Sequence, residues 1–257
     1  MTLSDDELDR YARHIVLPQV GGAGQLKLKA ARVAIVGAGG IGAALIPALA
    51  GAGIGQLTII DGDRVELSNL QRQPIYRSAE VGMAKVRLAS DFVLARNPHV
   101  TVTAIGERID AANVADLLDG HDLVIDGTDN FATRLLVSDT CVALGLPLLS
   151  AAAQQFQGQV ALFSARPCYR CFVGDAFDAD DCDNCTELGV LGALTATVGS
   201  FAALIAIRLI TAIGDDPAGK LHLFDGLTLS WRQLKISSDP LCRSCGHPSP
   251  VPSAPSS

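Results

Sequence analysis

Apolar positions along the chain follow two rhythms. Up to about residue 30, Leu8, Tyr11 and Ile15 recur at helical spacing and predict a helical N-terminal arm. Residues 32–37 are a β-branched run ending in glycines, and 42–53 an Ala/Leu-rich helix. The same reading predicts strands at 56–61, 100–105, 123–126 and 146–150, with helices around 85–94 and 132–144. Alternation of this kind predicts an α/β fold, a Rossmann-like mostly parallel sheet with helices on both faces. Segment 159–164, a long apolar helix, and strands at 221–224 and 231–236 predict a C-terminal strand extension of that sheet. One domain over 1–246 is expected, and 247–257, with prolines among serines, is expected to be a disordered tail.

Residues 188–207 are twenty residues without a charge, long enough to cross a bilayer. Gly189, Gly192, Thr195, Thr197, Gly199 and Ser200 dilute their hydrophobicity, so a buried core helix is expected and no membrane partner. Composition changes the picture elsewhere. Against 20 Lys+Arg stand 27 Asp+Glu, a net −7, which argues against nucleic acid as a partner. The first ten residues hold four acidic side chains and no apolar leader follows, so a cytoplasmic protein is expected. In that compartment seven cysteines point to metal ligands or reactive thiols rather than disulfides.

Gly37-Ala38-Gly39-Gly40-Ile41-Gly42 fits G-x-G-x-x-G between a predicted strand and a predicted helix. Small residues there let backbone N–H groups approach a phosphate at the helix N-terminus. Asp61, at the end of the next strand, is placed to accept hydrogen bonds from ribose hydroxyls. The loop does not choose between NAD and ATP. No tyrosine has a lysine four residues on, as a short-chain dehydrogenase requires, and no Gly-Lys-Ser/Thr of a Walker A loop occurs. Asp63, Ser68, Asn69, Gln71, Arg72 and Lys85 follow, then Asp129 and Asn130. Arg72 and Lys85 are cations suited to a triphosphate losing pyrophosphate. Asp129, beyond the carboxyl end of a parallel strand, is suited to Mg²⁺.

Three Cys-x-x-Cys pairs occur: Cys168/Cys171, Cys182/Cys185 and Cys242/Cys245. Two pairs make a tetrahedral Zn²⁺ site. The first two would form a local ribbon, whereas the first and third would tie the C-terminus to the body. Cys141, in an apolar helix, is read as core.

Taken together, Arg10-Tyr11-Ala12-Arg13, the glycine loop, Leu67-Ser68-Asn69-Leu70-Gln71-Arg72-Gln73, Asp129-Asn130, Cys168-Tyr169-Arg170-Cys171 and the final Cys-x-x-Cys carry a resemblance. The chain resembles, over nearly all of 8–246, the bacterial sulfur-carrier adenylyltransferases of thiamine and molybdopterin synthesis (the ThiF, MoeB and HesA type), relatives of ubiquitin-activating enzymes. The resemblance implies an adenylyltransferase that activates the C-terminal glycine of a ubiquitin-like sulfur-carrier protein ending in Gly-Gly, with ATP, Mg²⁺ and Zn²⁺ as cofactors. By that resemblance Gly37, Gly39, Gly40 and Gly42 serve the phosphates and Asp61 the ribose. Asn69, Arg72 and Lys85 hold the triphosphate, Asp129 holds Mg²⁺ beside Asn130, and Arg13 reaches into the partner subunit of a homodimer. It also implies that Cys168, Cys171, Cys242 and Cys245 are the zinc ligands. Cys185 then falls where thiamine-branch relatives have a cysteine that bonds covalently to the activated carrier, and Cys182 is a resolving thiol or idle.

Departures accompany the resemblance. Pro47 interrupts the helix after the glycine loop, and Ile205 stands where relatives often carry a carboxylate. The chain stops soon after Cys245, leaving no room for a C-terminal rhodanese domain, so a separate sulfur donor is expected. Leu223-Phe224-Asp225-Gly226 and Trp231-Arg232 favour a thiamine-type (ThiS-like) carrier over a molybdopterin-type (MoaD-like) one. The rival readings are an NAD-dependent oxidoreductase, which leaves 69–72 and the zinc pairs without a task, and a non-catalytic carrier-binding scaffold.

Overall fold

The computed structural model describes residues 2–174 and 189–246. Ser4 opens the arm with a reciprocal cap. Its hydroxyl accepts from the Glu7 N–H at 3.3 Å, and the Glu7 carboxylate accepts from the Ser4 N–H at 2.8 Å. Helices α1 (Asp5–Arg10), α2 (Ala12–Ile15) and α3 (Gly21–Ala30) follow. Buried polar groups fasten them to the body: Asn97 Nδ2 donates to the Tyr11 hydroxyl at 2.8 Å, and Gln25 Nε2 to the Ala52 carbonyl at 2.8 Å.

The body runs β1 (Arg32–Val36), α4 (Gly42–Ala52), β2 (Gln56–Ile60), α5 (Lys85–Arg96), β3 (Thr101–Ile105), α6 (Val114–Leu118), β4 (Leu123–Asp126) and α7 (Phe131–Leu144). It continues with β5 (Leu148–Gln154), β6 (Gln157–Phe163), α8 (Tyr169–Val173), α9 (Gly192–Thr211), β7 (Lys220–Asp225) and β8 (Ser230–Lys235). Strand order is β3-β2-β1-β4-β5-β6-β7-β8, parallel through β5 and antiparallel beyond it.

Successive strand residues face opposite sides, which sorts the core into two layers. Val33, Ile35, Leu57, Ile59, Leu123 and Ile125 pack with α3, α4, α5 and α9, while Ala34, Val36, Ile60 and Val124 pack with α6, α7 and α8. Helix α4 continues through Pro47.

The long apolar helix begins and ends four residues later than the predicted 188–207. Val190 bridges to Gln155 and Leu191 caps the helix, which holds its start back. At the other end Arg208 sits in the last turn, where its side chain donates to the carbonyls of Ile213 and Asp215. By length and composition alone α9 could cross a membrane. It lies on α3, α4, β5 and β6, with Ile205 buried. A Cβ at Gly199 would sit 2.5 Å from the Ile41 carbonyl, so this close approach to α4 requires glycine. The hairpin β5–β6 is longer than predicted because Ala151, Ala152 and Ala153 pair as strand without the β-branched signature.

Candidate active site

Sheet order reverses between β1 and β4, so the loops after their carboxyl ends diverge and leave a crevice. A cleft of about 1100 Å³ opens there. Gly37 leaves β1 with φ 97°, a conformation suited to glycine, and Gly39 and Gly40 then line the cleft below the N-terminus of α4. Asp61 shapes this loop. One carboxylate oxygen accepts from the Ala38 N–H at 2.7 Å and the other from the Asp63 N–H at 2.8 Å, and both retain lone pairs. From the opposite side the buried Tyr76 hydroxyl donates to the Ala38 carbonyl at 2.8 Å. Burial, with the Asp61 and Glu80 charges adding to it, pushes the Tyr76 hydroxyl well above its ordinary range, so it stays a donor.

Cations gather on the β2–β3 side. Lys85, the first residue of α5, is buried with its ammonium 3.3 Å from Asp63, whose other oxygen lies 3.0 Å from Arg108. Arg72 donates to the Ser68 carbonyl at 2.9 Å. Asn69 is buried, its side-chain oxygen accepting from the Glu66 N–H, and Gln71 lines the cleft beside it.

Across the cleft, the loop after β4 carries Asp129. Its carboxylate is exposed to the cleft and has no hydrogen-bond or ion-pair partner among the described residues. Asn130 caps α7, accepting from the Thr133 N–H at 2.8 Å. A lone carboxylate beside space for phosphate oxygens is the donor set a hard divalent cation accepts. The cleft continues along the hairpin, past Ala152, Ala153, Gln154, Gln157, Gly158 and Gln159.

The structure thus brings Gly37, Gly39, Gly40, Asp61, Asp63, Asn69, Gln71, Arg72, Lys85, Asp129 and Asn130 around one space. Three predicted residues do not line it. Gly42 packs under the loop against the Gly37 carbonyl, Ser68 turns its hydroxyl to Glu66, and Arg13 is exposed on α2. Cys182 and Cys185 lie outside the described residues. Sequence reasoning missed Tyr76, Arg108, Asp126 and Arg134. For the last two a signal existed: Asp126 is a charge ending an apolar strand, and Arg134 follows one turn into the next helix.

Away from the cleft, Cys168, Cys171, Cys242 and Cys245 place their sulfurs within 4.8 Å of one another. Three of these separations are 3.4, 3.6 and 4.0 Å. Four thiolates around one Zn²⁺ at its usual bond length stand about 3.8 Å apart, so the cage fits that ion. Burial pushes the Cys168 thiol up. At Cys242 burial acts the same way, but the Cys245 and Ser244 amides and the neighbouring sulfurs outweigh it, and the thiol lies below its ordinary value.

Residues 11–244 match the model of the ThiF family. A sulfur carrier protein adenylyltransferase of Thermus thermophilus is 43% identical over 253 residues, 96% of this chain and 93% of that protein. A molybdopterin-synthase adenylyltransferase of Salmonella typhimurium is 41% identical over 247 residues, 95% of this chain and 98% of that protein. The crystal structure of E. coli MccB with ATP is similar in fold, with a TM-score of 0.82 at 22% identity, covering 95% of this chain and 75% of that one. With its glycine loop, its sheet order and a family match over almost its whole described length, the chain belongs to the ThiF family.

Proposed function

We propose that this protein adenylates the C-terminal glycine carboxylate of a ubiquitin-like sulfur-carrier protein ending in Gly-Gly, at the expense of ATP. One observation carries the reading: Asp129, whose carboxylate has no partner among the described residues, lines one cleft with Lys85, Arg72 and the glycine loop. In this reading Gly37, Gly39 and Gly40 approach the phosphates and Asp61 accepts from the ribose. Asn69, Arg72 and Lys85 hold the triphosphate. The small residues Ala152, Ala153 and Gly158 leave room for a narrow extended tail beside the α-phosphate.

The chemistry then needs little more than placement. The tail carboxylate is already ionised at neutral pH, so no general base is required. Its oxygen forms a bond to the α-phosphorus as the bond to the β-phosphate bridging oxygen breaks, giving acyl adenylate and pyrophosphate. Lys85 and Arg72 stabilise the charge that develops on the departing pyrophosphate. Mg²⁺, when bound by Asp129 and phosphate oxygens, supplies further charge neutralisation.

Four thiolates leave no open coordination position, so Zn²⁺ in the cysteine cage would be structural. Arg13, exposed and outside its own cleft, is read as serving the site of the second subunit in a homodimer. Cytoplasmic location, a separate sulfur donor and a covalent role for Cys185 belong to the same proposal. So does the preference for a thiamine-type carrier, which rests on residues 223–226 and 231–232.

Exchange of radiolabelled pyrophosphate into ATP, with thiamine-type and molybdopterin-type carriers side by side, tests it. Carrier-dependent exchange is expected, strongest with the thiamine type. Absence of exchange with any Gly-Gly carrier, on zinc-loaded protein that binds ATP, would overturn the adenylation reading.

A further inference from the structure

Arg134 enters none of the roles above, yet it is the most heavily engaged cation beside the cleft. It lies in the first turn of α7 and is 6% exposed. Its guanidinium donates to the Ser150 hydroxyl at 3.0 Å, to the Ala151 carbonyl at 2.9 Å and to the Thr128 carbonyl. Nη1 also lies 3.7 Å from Oδ2 of Asp126, a buried oxygen that makes no hydrogen bond among the described residues. One planar fork therefore joins the end of β4, the loop beyond it and the strand β5.

That loop is fixed from both sides. Asp126 Oδ1 accepts from the Thr128 N–H at 3.0 Å and from its hydroxyl at 2.7 Å, while Arg134 holds the Thr128 carbonyl. On the far side Asn130 is tied down as the cap of α7. Asp129 sits between two immobilised neighbours with its own carboxylate left over.

We propose that Arg134 is the positioning residue of the metal-binding loop: by clasping the Thr128 and Ala151 carbonyls it fixes where Asp129 presents its oxygens, and so sets how readily Mg²⁺–ATP is taken up. This rests on the reading of Asp129 as a Mg²⁺ ligand. A purely electrostatic role, in which Arg134 only neutralises buried Asp126, makes a different demand. It would be satisfied by removing both charges, whereas the clasp needs the planar guanidinium, whose Nη2 donates to both carbonyls while Nη1 holds the Ser150 hydroxyl.

Calorimetric ATP binding, titrated with Mg²⁺ and repeated without metal, separates the two. Arg134→Lys keeps the charge and loses the fork. It is expected to raise the half-saturating Mg²⁺ concentration by about tenfold or more, the usual scale for groups that orient a metal ligand, with metal-free ATP affinity unchanged. Arg134→Gln alone leaves Asp126 buried and unpaired and risks unfolding. The double variant Asp126→Asn/Arg134→Gln removes both charges, and it is expected to regain thermal stability while keeping the Mg²⁺ defect. A wild-type Mg²⁺ midpoint in Arg134→Lys, or its restoration in the double variant, would overturn the inference. Asp129→Asn is the reference. An unshifted midpoint there would overturn the metal reading and this inference together, whereas a shift there without one in Arg134→Lys would overturn the inference alone.

Discussion

The ammonium of Lys85 is buried, yet 3.3 Å from it lies the half-exposed carboxylate of Asp63. Asp63 also meets Arg108, so losing the lysine leaves it one cation and water. Lys85→Met keeps most of the buried aliphatic stem and removes only the charge. Exchange activity is expected to fall by about a hundredfold or more, the scale of losing one charge-stabilising donor. The melting temperature should stay within a few degrees. A variant that melts far lower and exchanges normally would make Lys85 a packing residue, and paired exchange and thermal-melt measurements decide it.

A second expectation concerns the cysteine cage. Stripping the metal with a strong chelator, or replacing Cys242 with Ser, should cost about 3 kcal/mol or more, roughly 6–12 °C in a chain of this size. Hydrogen exchange should locate the loss first around the cage, at β6, β7 and β8. Uniform loosening of all strands would instead mean that the cage supports the whole sheet.

Acid sensitivity should centre on the arm. Burial raises the Glu7 pKa, but the hydrogen bond from Lys29 at 2.6 Å and those from Ser4 outweigh it, leaving the carboxyl below its ordinary 4.5. A depressed carboxyl pKa contributes stability that is fully present above the unfolded value and is lost as pH falls through the folded one. Glu7→Gln should therefore melt lower than wild type at neutral pH, and the gap should narrow as pH drops below 4.5. Melting curves across that range check the sign.

Pro47 is an imperfection in α4. It withholds the N–H that would meet the Ala43 carbonyl, and an interior proline costs about 3 kcal/mol. Part of that is offset because proline also restricts the unfolded chain. Pro47→Ala is expected to stabilise the protein by roughly 1–2 kcal/mol without altering exchange kinetics. Slower exchange in the stabilised variant would tie the helix irregularity to function.

Local chemistry made much of the site readable in the sequence. The glycine loop, Asp61 and the segment from Asn69 to Arg72 are short runs that could be singled out before folding, the last through its resemblance to the family, and they do line one cleft. For Arg134 the sequence offered only a cation one turn into a helix, because its partners Asp126, Ser150 and Ala151 come together only once β4 and β5 pair. Pairing between the cysteines was open for the same reason: spacing allowed two combinations, and folding brings Cys242 and Cys245 to Cys168 and Cys171. Helix limits were misjudged where a bridge at Val190 and the carbonyl contacts of Arg208 override the apolar pattern.

With an ion seated among its four sulfurs, the cage turns the stretch from Cys171 to Cys242 into a closed ring. A single protease cut inside that ring would break the backbone without releasing a piece, since the fragment on each side keeps one cysteine pair on the same ion. Nicked protein would elute as one particle, separate into two bands only on a denaturing gel, and begin to part in native form once a chelator opens the clasp.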